Sequence, residues 1–132
     1  MRDEADPPDD VFEALIEAAL EGLPQMFRER LGSVAIVVED EPSAAQLASV
    51  GARGLFGLYV GVPRTAWGVD SAAVASKIVI FSGPLLRAHG TGARLAAAVE
   101  DVVHHEIAHH FGISDARLRE LKARGTRGHR VP

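Results

Sequence analysis

Residues 104–115 read HHEIAHHFGISD, which places four of the chain's six histidines and two carboxylates within twelve residues. The run follows an Ala- and Val-rich segment, RLAAAVEDVV at 94–103, and contains a glycine at 112. Alanine favours the helix and glycine supplies a left-handed terminator, so a helix is expected from about Thr91 to Phe111, ended by Gly112. Residues four apart on a helix share a face, so His105 and His109 present two imidazoles one turn apart. Glu106 is rotated about 100° from His105, where its carboxylate misses an ion held by the pair yet reaches a water on that ion. Gly112 can turn the chain back, which lets Asp115 approach the same point from the side.

The full spacing is His105-Glu106-x-x-His109-x-x-Gly112-x-x-Asp115. A catalytic zinc takes three protein ligands and keeps one position open for water, and a glutamate between two helical histidines is the usual base for that water. With no cysteine in the chain, a metal site must be built from histidine and carboxylate. The expected set is therefore His105, His109 and Asp115 on zinc, with Glu106 catalytic. The plainer reading of the histidines is a pair of surface imidazoles near a helix C-terminus, where the dipole favours them. Asp115 has its own plainer reading, a carboxylate at the start of the next helix, although Ser114 can cap that helix instead. His104 and His110 fall on other faces and are expected to be structural. Asp101, one turn before His105, is either the acceptor of that ligand's second ring proton or a surface acid. His89 and His129 carry no assignment.

Outward from this stretch, 132 residues suffice for one compact domain, and 47% apolar with 24% charged residues is ordinary for a soluble fold. The acidic start MRDEADPPDD is neither a leader peptide nor a membrane anchor, and no apolar run reaches the roughly 18 residues of a span, so a cytoplasmic location is expected. Net charge is −4, but residues 1–21 hold eight acids against Arg2, and residues 116–132 hold six Lys/Arg against Glu120. The basic end has no aromatic residue to stack a base, so nucleic-acid binding is not expected and the tail is read as solvated. The boundaries drawn are a disordered acidic segment at 1–10, a domain at 11–124 and a flexible basic end at 125–132.

Within the domain, Asp10-x-x-Glu13 resembles a capping box before a helical stripe, Val11, Phe12, Leu15, Ile16, Ala19 and Leu20, that stops at Gly22. A short helix is expected over Pro24–Leu31 and another over 43–50. Strands are expected at VAIVV (34–38), at LFGLYVGV (55–62) and at KIVIF (77–81). Gly57, Gly61 and Pro63 assign the second to a sheet edge, whereas the unbroken apolar third is a strand covered on both faces. Residues 63–76 read as a long loop, and a last helix starts near Ser114. The class is α+β, a small mixed sheet with helices on one face.

At the His-Glu-x-x-His residues the chain resembles the zincins, and more narrowly the compact bacterial zincin-like metallopeptidases whose third ligand is aspartate. The likeness extends through LPQMF (23–27), VAIVVEDEPS (34–43), GLYVGVP (57–63), KIVIFSGPLL (77–86) and VVHHEIAHHFGISDARL (102–118). It implies a minimal zincin fold, zinc on His105, His109 and Asp115, and Glu106 as the catalytic residue. The spacing also resembles the extended motif of the metzincins; one departure from the larger of these is that both methionines, Met1 and Met26, lie far upstream, so no methionine turn follows the third ligand. With 17 residues after Asp115, a shallow substrate site is expected, suited to short or unfolded peptides.

The expected function is a zinc metallopeptidase acting on a peptide or protein substrate, with an extended peptide pairing along Gly57–Val62. Tyr59 is read as a packing residue in preference to an oxyanion donor, and Trp67 as either a rim residue or a buried anchor. Two alternatives come from other classes: a zinc-bearing, non-catalytic binding module on the same scaffold, and an adaptor working through the basic end. Oligomeric state is open.

Overall fold

The computed structural model describes residues 9–32, 34–51, 54–61 and 76–129. In chain order the elements are α1 (Asp9–Glu21), α2 (Gln25–Arg30), β1 (Ala35–Glu39), α3 (Ala44–Val50), β2 (Gly57–Val60), β3 (Lys77–Phe81), α4 (Ser82–His89), α5 (Ala93–Phe111) and α6 (Asp115–His129). The class is α+β, as the sequence indicates. The sheet has the order β1-β3-β2, with β1 parallel and β2 antiparallel to β3.

KIVIF is the central strand, and it alone of the three is buried on both faces. Ile78, Val79, Ile80 and Phe81 are all fully buried. Ile78 and Ile80 join one core with Phe12, Ile16 and Ala19 of α1 and Val99, Val103 and Ile107 of α5. Each such side chain contributes about 1.5–3 kcal/mol by leaving water, so the seam between sheet and α5 is the main source of stability. The stripe read in α1 is the face that enters it, except for Val11, which is exposed. α5 crosses β2 and β3 and is flanked by α1, α4 and α6. The longest helix is thereby held on all sides but one, and the open side carries His105 and His109.

Local signals set most of the ends. Ser43 caps α3 with a full capping box, its hydroxyl taking the Gln46 N–H at 3.0 Å and its own N–H reaching the Gln46 side chain at 2.7 Å. Gly112 ends α5 in the left-handed region at φ 68°, ψ 31°. β2 is shorter than the expected 55–62, because Gly61 leaves the strand at φ 147°. α1 begins at Asp9, one residue before the residue expected to cap it. α6 extends to His129, beyond the boundary drawn at 124. Helix α4 is a correction, since the sequence reading assigns no element to 82–89. The loop expected at 63–76, Trp67 with it, lies outside the described residues except for Ser76, which is buried.

Candidate metal centre

The 19-residue α5 buries one face and exposes the other, and its four histidines divide between them. His105 and His109 lie on the exposed face with 46% and 58% of their side chains accessible, their ring centroids 4.8 Å apart. Glu106 is turned inward and buried, yet its carboxylate returns to the pair. It lies 4.0 Å from His105 Nε2 and 3.4 Å from His109 Nδ1. Nitrogen and oxygen atoms of these three residues fall within 4.8 Å of one another, the group among the described residues able to hold an ion.

Glu106 is buried because β2 lies directly over it. Phe56 C=O accepts the Phe81 N–H at 2.9 Å, so by strand alternation the amide of Tyr59 faces away from β3 and toward α5. There it donates to the Glu106 carboxylate. Close approach of strand to helix depends on Gly57. A Cβ at that position would stand 2.5 Å from a Val102 methyl and 3.5 Å from Glu106 Cγ, which the Val102 contact alone forbids. Glycine within a strand often marks such an approach, although in the sequence Gly57 reads only as an edge signal. Burial pushes the Glu106 carboxyl above the ordinary carboxylate range, while the two imidazoles and the Tyr59 amide pull it partly back. A carboxylate with raised basicity between two exposed imidazoles is suited to receiving a proton.

Asp115 stands in the first turn of α6. Ser114 Oγ accepts the Arg117 N–H at 3.0 Å and caps that helix, leaving the Asp115 carboxylate available. It takes up His105 Nδ1 at 2.8 and 3.0 Å from its two oxygens. The structure therefore brings Asp115 to the first histidine's ring, beside the His105–Glu106–His109 cluster and not within it. Asp101, considered for this contact on sequence grounds, is replaced in it by Asp115. With Nδ1–H directed at the carboxylate, neutral His105 keeps its Nε2 lone pair for an ion. Two imidazoles and a carboxylate, without sulfur, suit zinc by donor chemistry.

The other two histidines pack. His104 donates from Nε2 to Ala19 C=O at 2.7 Å, and its Nδ1 accepts from Lys122 Nζ at 2.8 Å, so one ring joins α1, α5 and α6. Burial holds its pKa below the usual imidazole value. His110 meets the Tyr59 hydroxyl at Nδ1, 3.0 Å away, and that hydroxyl also meets Ser76 Oγ at 3.0 Å. Tyr59 is thus a packing residue whose hydroxyl is held under the helix, as expected. Nothing in the sequence reveals that its backbone holds the glutamate.

A family model for zincin-like metallopeptidases matches residues 31–125, which include all of the residues of this centre. The chain belongs to that family. Among solved structures, a conserved hypothetical protein from Thermus thermophilus is similar at 25% identity and a TM-score of 0.52, covering 89% of this chain and 99% of that one. No functionally curated protein matches the sequence. In this chain helix α5 packs against the edge strand β2. No helix among the described residues of this zincin-like chain is long and apolar enough to cross a membrane.

Proposed function

We propose that the protein is a zinc-dependent peptidase in which His105, His109 and Asp115 hold the metal and Glu106 is the general base. The observation that carries this reading is the placement of Glu106. Its carboxylate is buried under an edge strand, directed at the gap between two exposed imidazoles and raised in basicity by that burial. A metal site that only stabilised the fold would need no such carboxylate.

Bound zinc would supply a Lewis acid for the scissile carbonyl and for the attacking water. The chain's own residues do the rest. Glu106 receives the proton of the attacking water and returns it to the departing amine. The Tyr59 amide fixes that carboxylate on the helix. The strand β2 lies at the sheet edge, where an extended peptide can be added, as strand addition requires. Short or unfolded peptides are the substrates such a surface accepts, since a folded protein keeps its backbone paired.

Glu106→Gln preserves shape and removes the base. Zinc content should stay near that of wild type, and the cleavage rate on a peptide library should fall by about 10²–10⁴-fold. Equal cleavage by wild type and a zinc-loaded Glu106→Gln protein would refute the mechanism. Zinc retention with no cleavage by either protein would favour the non-catalytic binding module.

A further inference from the structure

Beside His105 a cavity of about 590 Å³ opens between the 54–57 segment, α5 and α6. Phe56, Val102 and Leu118 give it apolar lining, Arg119 and Lys122 on α6 make a basic wall, and Asp101 and Asp115 line it as well. His105 and Glu106 stand at its margin, so a group seated here is joined directly to the reacting bond if the peptidase reading holds. The inference rests on that reading for its place in catalysis, and on the cavity alone for its chemistry.

The basic wall follows from how α6 distributes its charge. Arg117 and Arg124 both pair with Glu120, at 3.0 and 2.8 Å. Arg119 and Lys122 are three apart and therefore share the face that lines the cavity. Arg119 makes no ion pair among the described residues, although Asp101 lines the same space. Lys122 is fixed in place by its hydrogen bond to the buried, neutral His104, and its charge adds to the same wall. A guanidinium lining a cavity that also holds apolar side chains, beside His105, matches a substrate group with a carbon stem and an anionic end. Guanidinium binds a carboxylate through two parallel hydrogen bonds, which supplies selectivity as well as attraction.

We infer that this cavity is a substrate subsite that binds a carboxylate, on an acidic side chain or at a free C-terminus, through Arg119 beside Lys122. The site thereby selects acidic peptides or peptide ends. Because Arg119 is exposed, the preference weakens as salt is raised.

The test uses fluorescein-labelled hexapeptides in matched sets: internal Asp or Glu against Asn or Gln, and a free C-terminal acid against the amide. Binding is read by anisotropy on zinc-loaded Glu106→Gln protein, so turnover does not interfere, and cleavage is read separately on wild type. The acidic peptides are expected to bind at least tenfold more tightly than their neutral partners. Whichever set shows the preference identifies the source of the carboxylate. Arg119→Glu should abolish the preference and favour lysine-containing peptides, with zinc content and thermal midpoint unchanged. Equal affinity for acidic and neutral peptides, no binding of any peptide, or an Arg119→Glu protein with undiminished preference would overturn the inference. Cleavage without acidic preference removes the subsite and leaves the peptidase; acidic binding without cleavage does the reverse.

Discussion

One helix carries two pairs of histidines that differ in every respect except residue type. His105 and His109 stand about half exposed, ring beside ring, with a carboxylate at each. His104 and His110 are 5% and 1% accessible and make fixed hydrogen bonds to Ala19, Lys122 and Tyr59. The outer pair is available to an ion; the inner pair holds the helix that presents it. Adjacent residues on a helix are separated by about 100°, so a run of histidines must divide its labour in this way.

The largest expected effect breaks the outer pair. His105→Ala/His109→Ala protein should take up no zinc above background, measured as metal per chain, while its metal-free thermal midpoint stays close to that of wild type. A metal-free midpoint lowered by several degrees would mean that the outer pair also carries the fold. The inner pair should respond in the opposite sense. His104→Ala leaves the Ala19 carbonyl and the Lys122 ammonium without this partner, at a cost of about 1–3 kcal/mol, read by urea unfolding. Unchanged unfolding would end the claim that this ring joins three helices.

Asp115 sharpens the comparison because it touches the outer pair from a different helix. Asp115→Asn can still accept the His105 ring proton but is a poorer ligand, whereas Asp115→Ala can do neither. Zinc affinity lost to the same extent in both variants identifies a ligand. Affinity largely retained in the asparagine variant identifies an orienting residue, whose loss typically costs 10–100-fold. Tyr59→Phe tests the inner side more gently. It removes the hydroxyl held by His110 and Ser76 while keeping the backbone amide on Glu106, so about 1 kcal/mol of stability should go with zinc binding intact.

The smallest effect lies remote from both pairs, at Glu41 and Arg87, whose side chains pair through two hydrogen bonds of 2.6 and 3.0 Å. The Arg87 hydrogen bond lowers the Glu41 pKa from its ordinary 4.5. A carboxyl lowered in the folded state adds stability above its unfolded pKa and loses it as pH falls through the folded value. Glu41→Gln should therefore lower stability slightly at neutrality, flatten the profile below pH 4.5 and converge with wild type in acid. Both groups are exposed, so the difference should lie near the limit of measurement.

The outer pair was legible in the sequence because its spacing is local: one helical turn, one base and one terminating glycine. The central strand was legible for a similar reason, a short unbroken apolar run. Helix α4 was not, because Gly83 and Pro84 read as breakers. Pro84 falls in the first turn, where its missing N–H costs nothing. Gly83 is fitted to a neighbour: its N–H donates to Asp40 C=O at 2.8 Å, and a Cβ there would collide with Glu41. The contacts of Tyr59 with Glu106 and of Lys122 with His104 were equally out of reach. They join residues on separate elements, and no periodicity records a neighbour that folding alone brings close.

The missing side chain at residue 57 bears on how the proposed peptidase could be diversified. Clearance between β2 and α5 is set by a hydrogen atom, so enlarging that residue moves the strand off Glu106 before it reshapes anything a substrate would meet. New selectivity must therefore be introduced around this point and not at it. The cavity residues Leu55, Phe56 and Arg119 lie at more accessible positions and can vary while the strand stays seated. In a randomised library covering residues 55, 56, 57 and 119, selection for cleavage should return many sequences at three of these positions and glycine at the fourth.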